Sequence, residues 1–279
     1  IKPGDRIAGF MPNVIDAVAA MLATASLGAV WSSCSPDFGI NGVLDRFGQI
    51  RPRILFTTDG YLYNGKRLNS LERVASIAKQ LDSIEAIVVS DHIGTKVDLS
   101  ALNAIVPNKA MHWDDFVDAS ASEIDFVDCN FSDPLYIMYS SGTTGVPKCI
   151  VHSVGGTLLQ HNKEHLLHTN VSRDDVLFYY TTCGWMMWNW LVSGLALGCG
   201  VVLYDGSPFK TSSILMDMAQ NEAVSIFGTS AKYIAALEKI GQKPIQSHDL
   251  RALKSILSTG SPLSHESFDF VYQQVKTDV

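Results

Sequence analysis

The sequence has no run of five or more Lys or Arg residues, and its aromatic residues are not interleaved with basic ones. With 28 acidic against 21 basic side chains the net charge is −7, a balance that argues against a nucleic-acid partner. No apolar stretch reaches the length of a transmembrane helix. The longest candidate, 17–31, contains Thr24 and Ser26 and is broken by Gly28, so it reads as a buried helix running into a strand. No secretory leader pattern is visible. The five cysteines form no Cys-x-x-Cys pair. Their odd number in a chain of 279 residues fits reduced thiols and a cytosolic setting, each cysteine serving as a small buried hydrophobe.

Several chemical signatures are missing as well. A Walker A loop would need Gly-Lys-Ser/Thr, but Gly145 is followed by Val146 and Pro147, and Cys149 follows the lysine. Gly142 and Gly145 lack the third glycine of a dinucleotide fingerprint. Gly-x-Ser-x-Gly does not occur, so no nucleophile elbow is expected. His161, His165 and His168 share one helix face, but without a His-Glu-x-x-His pattern or a fourth ligand they are expected to form a partly exposed polar face, not a metal site.

What is present is a loop of unusual composition. Ser140-Ser141-Gly142-Thr143-Thr144-Gly145-Val146-Pro147-Lys148 packs two glycines, four hydroxyl side chains and a lysine into nine positions. Glycines let the backbone approach an anion closely, amides and hydroxyls point at its oxygens, and the lysine adds a positive charge. Ser, Thr, Gly and Pro clusters are ordinarily surface turns. Here the runs 134–139 and 149–152 on either side read as strands, and a polar loop held between two strands is a rigid cradle.

Around the loop, strand and helix signals alternate, which predicts an α/β fold with two sheet-containing subdomains, 1–130 and 131–279. Strands are expected at 6–11, 29–32, 54–57, 86–89, 134–139, 149–152, 176–180, 201–204, 224–227 and 255–258. Helices are expected at 14–27, 40–50, 68–81, 155–168, 186–197, 213–218, 231–240 and from Ser264 onward. The stretch 91–130, rich in Asp, Asn and Ser with Trp113 and Phe116 as anchors, reads as a connection between the two halves or as an ordinary long loop with one helix.

Two further segments carry chemistry. In 183–190, three tryptophans and two methionines fall within six residues. Such a helix either caps a core or walls a small apolar group, with Asn189 as a polar orienting side chain. Thr259-Gly260-Ser261-Pro262 turns a strand into a helix capped by Ser264, or offers a backbone platform to a planar ring.

The loop resembles the phosphate-binding signature of the adenylate-forming (acyl-activating) superfamily over all nine residues. The likeness continues in Gly4-Asp5-Arg6-Ile7 through Pro12-Asn13. It narrows to the acetoacetate-activating branch of the acyl-CoA synthetases in 31–39, 44–50, 184–189 and 203–208. The resemblance implies an ATP-dependent acid–thiol ligase: the acid's carboxylate attacks the α-phosphorus of ATP, pyrophosphate leaves, and the CoA thiol then displaces AMP. It implies that Ser140, Ser141, Gly142, Thr143, Thr144, Gly145 and Lys148 bind the phosphates, with Thr144 and Lys148 catalytic and Thr144 near Mg²⁺. Gly260, Ser261 and Pro262 would contact adenine. Trp185, Met186, Met187, Trp188, Asn189 and Thr259 would line the acyl pocket. ATP, Mg²⁺, CoA and acetoacetate are the small molecules implied; a membrane span is not. By the same resemblance the chain reads as an internal piece of the family's large N-terminal domain, without its C-terminal lid domain and adenylation lysine, and is expected to be inactive by itself. Activation of acetate or another short acid, and nucleotide binding without catalysis, are the alternatives.

Overall fold

The computed structural model describes residues 1–107, 109–140 and 145–279. The expected Thr143 and Thr144, with Ser141 and Gly142, lie outside the described residues. The chain divides into two compact units, Ile1–Gln160 with Thr182–Met186, and His161–Thr181 with Met187–Val279.

The first unit is built on a seven-stranded sheet. Its strands are β1 (Arg6–Phe10), β2 (Val30–Cys34), β3 (Ile54–Thr58), β6 (Ala86–Ser90), β7 (Ala110–His112), β8 (Pro134–Tyr139) and β9 (Cys149–Ser153). A separate hairpin, β4 (Gly60–Tyr63) with β5 (Lys66–Asn69), interrupts the series. The sheet order is β7-β6-β3-β1-β2-β8-β9, parallel throughout except for the antiparallel β8–β9 pair. Parallel neighbours require crossovers. Helices α1 (Ile15–Ser26), α2 (Ile40–Ile50), α3 (Leu71–Ala78) and α4 (Ser100–Ile105) lie in the connections. Alternate residues of the strands bury opposite faces. Ala8, Phe10, Leu55, Ile87 and Val89 join Val43 and Phe47 of α2 and Val74, Ile77 and Ala78 of α3 in one core. On Phe56, rings from Trp31, Trp113 and Phe116 gather with centroids 5.6–6.4 Å away.

That ring cluster corrects one expectation. The stretch 91–130 is not simply a connector: α4, β7 and the short helix α5 (Trp113–Phe116) belong to the first unit, and irregular chain is left at 91–99 and 117–130. A second correction concerns the division of the chain. Strands β8 and β9, expected in the second half, extend the first sheet beyond β2, and the first unit runs to Gln160. Local sequence marks a strand but not its parallel partner, which comes from distant chain.

The third correction is the hairpin. The helix expected from 68 begins at Leu71, because 66–69 pair as β5, and Asn69 Oδ1 accepts the Leu71 amide at 2.8 Å. Asn64-Gly65, the strongest short-range hairpin signal, forms the turn with φ of +47° and +76°. Gly65→Ala is expected to cost about 1 kcal/mol, because only glycine takes this conformation freely. An unchanged urea midpoint would contradict that.

The second unit carries an all-parallel sheet in the order β11-β10-β12-β13. Its strands are β10 (Val176–Tyr179), β11 (Gly200–Val202), β12 (Ile226–Ser230) and β13 (Ser255–Thr259). Its two faces show why these strands read as unbroken apolar runs. Phe178 and Phe227 pack with Leu215, Met216, Tyr233, Ile234, Phe270 and Val275. Leu177, Tyr179 and Ile226 pack with Val171, Trp190 and Leu191. Helices of this unit are α8 (Ile214–Asn221), α9 (Ala231–Lys239), α10 (Pro244–Ser247) and α11 (His265–Phe270). Two helices span the division, α6 (Val154–Lys163) and α7 (Met186–Ser193). Ser230 and Ser264 cap α9 and α11, each accepting the amide three residues on at 3.2 Å. Asp175 is buried and anchors the start of β10. It accepts from Lys254 Nζ at 2.7 Å, Ser225 Oγ at 2.7 Å, the Ser172 amide at 2.6 Å and Ser172 Oγ at 2.8 Å.

Candidate active site

In open α/β sheets, ligands gather outside the carboxyl ends of the strands. The candidate loop occupies such a position. Strand β8 runs parallel to β2, so Ser140 emerges on the same edge as the segment after Cys34. Ser140 closes the neck of the loop: its amide donates to the Lys148 carbonyl at 3.0 Å, and its Oγ accepts the Lys148 amide at 3.1 Å. Gln49, at the end of α2, donates to the Pro147 carbonyl at 2.8 Å. Gly145 takes φ +102°, and Gly145 and Lys148 are exposed. Lys148 thus stands in solvent on a base fixed from two sides. Sequence reasoning credits Ser140 with binding phosphate; its side chain also latches the loop.

Ser32 Oγ donates to the Ile137 carbonyl at 2.8 Å and lies 2.9 Å from Tyr139 Oη. Burial pushes the Tyr139 phenol well above its ordinary range. The Arg46 guanidinium lies over the rings of Phe38 and Tyr139, 4.8 and 5.6 Å from their centroids. Burial also pushes the Cys34 thiol up to about 12, so it stays protonated. All five cysteines are free thiols.

The segment Thr182–Met186 belongs to this first unit and packs on the same edge. Ser33 Oγ donates to the Cys183 carbonyl at 2.6 Å, and Cys183 Sγ donates to the Pro12 carbonyl at 3.2 Å. These bonds hold Trp185 and Met186 outward, with 60% and 48% of their surface exposed. The rest of the aromatic segment behaves differently. Met187 is half-buried, while Trp188 (0% exposed) and Asn189 (3%) are enclosed within α7. The two readings of this segment are therefore both realised, in different residues: 185–186 face solvent, and 188–190 fill a core. Trp188 and Asn189, two of the residues expected around the acyl pocket, are buried.

The histidine face corrects another expectation. His161 and His165 are buried, not partly exposed. His161 Nδ1 and His165 Nε2 each lie 2.9 Å from Ser193 Oγ, and Ser193 Oγ donates to the Trp190 carbonyl at 2.6 Å. The His165 ring stacks on Trp190 with centroids 4.1 Å apart. A π-helical turn, Glu164–His168, follows α6 and carries His165. Burial lowers the His165 pKa, only partly offset by the Trp190 carbonyl and Glu164, so the ring is neutral near pH 7.

In the second unit, the carboxyl edge of the sheet presents Thr259, Gly260, Ser261 and Pro262, all exposed. Gly260 takes φ +91° between β13 and the Ser264 cap of α11. Thr259 Oγ1 lies 2.9 Å from Tyr179 Oη, and Tyr179 Oη also reaches the Thr229 carbonyl at 3.2 Å. Nothing in the sequence singles out Tyr179, which reads there as one more apolar residue of a buried strand.

The sequence model of the AMP-binding enzymes matches residues 1–279. The chain belongs to the AMP-binding enzyme family. Among relatives of this family, an acetoacetyl-CoA synthetase of Gallus gallus is 50% identical over 286 residues, covering 100% of this chain and 42% of the relative. An acetoacetyl-coenzyme A synthetase of Rhizobium meliloti (strain 1021) is 53% identical over 280 residues, again covering 100% of this chain and 42% of the relative. The solved acetoacetyl-CoA synthetase of Streptomyces lividans superposes with a TM-score of 0.90 at 42% identity, covering 98% of this chain and 41% of that one. The chain thus spans about two fifths of the length of the relatives it matches. Among the described residues, no helix is long and apolar enough to cross a membrane.

Proposed function

We propose that the complete polypeptide carrying these residues is an ATP-dependent acid–thiol ligase that joins acetoacetate to CoA, releasing AMP and pyrophosphate. The observation that carries this reading is the latched loop between β8 and β9, with Lys148 in solvent at the carboxyl edge of a parallel sheet. Acetoacetate and ATP are both anions, so their first reaction needs charge neutralised on the polyphosphate. Backbone amides of 140–145, the Ser and Thr hydroxyls and Lys148 supply that. Among the described residues no cluster of three or more His, Cys, Asp or Glu side chains could hold a metal ion. Mg²⁺ enters as part of the nucleotide substrate, bound chiefly through phosphate oxygens and water, with Thr144 as the protein contact proposed for it. Gly260, Ser261 and Pro262 take the adenine. Trp185, Met186, Met187 and Thr259 take the acyl group. Trp188 and Asn189, being buried, act on that group by holding α7. The free thiols support a reducing compartment such as the cytosol.

The test is ATP–pyrophosphate exchange by the complete polypeptide with acetoacetate, acetate and butyrate offered separately. Acetoacetate is expected to give the highest kcat/KM. Preference for acetate would assign the enzyme to another short acid, and nucleotide binding without exchange would make it a non-catalytic member of the family.

A further inference from the structure

The Tyr179–Thr259 contact crosses the second sheet in an unusual way. Tyr179 lies on β10, Thr259 on β13, and β12 runs between them. Neighbouring strands are about 4.8 Å apart, so the tyrosine side chain must pass over a whole strand. It does so at Gly228, its register partner on β12. A Cβ at position 228 would sit 2.0, 2.4 and 2.5 Å from Cδ2, Cε2 and Cγ of the Tyr179 ring. Only glycine leaves room for the crossing. On its far side the ring meets the edge of Trp190, with centroids 6.1 Å apart and planes at 80°. Trp190 is in turn stacked by His165. The phenol is therefore buried and clamped, while the threonine it reaches is exposed.

We propose that Tyr179 is a positioning residue that orients Thr259 as a hydroxyl donor to the ketone oxygen of a 3-oxo acid. The proposal rests on the placement of Thr259 beside the acyl group made above. A phenol has one proton to give. Given to the Thr229 carbonyl at 3.2 Å, it leaves Thr259 donating inward to the phenol oxygen, with only lone pairs and a methyl facing out. Given to Thr259 Oγ1, the shorter contact at 2.9 Å, it frees the threonine proton to point outward. A ketone oxygen can only accept, so it selects the second arrangement. A saturated acid of the same length offers nothing to that proton, and a site built to hydrogen-bond an oxygen discriminates against the analogue that lacks it. Substitution of the phenol should therefore affect the ketone acid and spare the saturated one. A tyrosine that merely stapled β10 to β13 would affect both alike.

The experiment compares Tyr179→Phe, Thr259→Val and the double variant in the complete polypeptide, using pyrophosphate exchange with acetoacetate and with butyrate. If butyrate does not exchange, its inhibition constant against acetoacetate replaces the rate. Each single change is expected to lower kcat/KM for acetoacetate by about tenfold, the equivalent of one hydrogen bond. In Tyr179→Phe the butyrate value should stay within about twofold, and on acetoacetate the double variant should be no worse than the poorer single. Equal losses for the two acids, or a Tyr179→Phe enzyme that keeps its preference, would overturn the proposal. A Thr259→Val enzyme indifferent to both acids would overturn the placement of Thr259 itself. Selective loss in Thr259→Val alone would leave that placement standing and remove only the role of Tyr179.

Discussion

Lys148→Ala is expected to lower the rate of ATP–pyrophosphate exchange by about 10²–10³-fold, the usual loss when one donor to developing charge is removed. The structure makes this side chain a clean probe. Lys148 is exposed, so truncation leaves no cavity. Its backbone is held independently, through the Ser140 amide and hydroxyl and through Gln49 on the preceding carbonyl, so the loop keeps its closure without the ammonium. The unfolding temperature should therefore be unchanged while exchange falls. Because the charge is needed most where the phosphates gain negative charge, kcat should fall more than the affinity for ATP. Exchange at the parent rate would mean that this loop does not handle the phosphates of the reaction.

Asp175→Asn is expected to destabilise the second unit by about 2 kcal/mol near neutral pH, and the penalty should vanish in acid. Burial by itself would raise the Asp175 pKa. Lys254, Ser225 and the amide and hydroxyl of Ser172 outweigh it and hold the carboxyl at about 2, against an ordinary value of 3.8. A depressed folded pKa stabilises the protein fully above the unfolded value and loses that contribution as pH falls through the folded one. The window is thus pH 4 to 2. The parent and variant urea midpoints should be well separated at pH 7 and converge toward pH 2. A separation that persists at pH 2 would show that the side chain acts by shape and neutral hydrogen bonds, not by charge.

Local signals in the sequence announce most elements because they depend on neighbours in the chain. Helix α2 begins and ends where its spacing and Pro52 place it, at Ile40 and Ile50. Strands β8 and β9 flank the candidate loop as their apolar runs require. The features that escape are set at long range. The pairing of β8 with β2 joins residues about a hundred positions apart, and nothing within 134–139 specifies that neighbour. The burial of His161 and His165 depends on Ser193 and the Trp190 carbonyl, which supply partners that a lone helix does not have. In 183–190 composition alone could not say where solvent ends; Ser33 and Pro12 decide that by gripping Cys183. The hairpin is a different case, because Asn64-Gly65 is a legible turn overridden by the helical spacing after it.

The crossing of Tyr179 over Gly228 also constrains descent. A side chain gained at 228 collides with the ring before it can be useful, and a ring shortened at 179 leaves a gap above a glycine that cannot fill it. Each step is harmful alone, whereas moving the bulk from one strand to the other conserves volume. The two positions should therefore be inherited as a pair. Lineages that bind different acids would be expected to carry either the large residue on β10 or the large residue on β12, with few intermediates between.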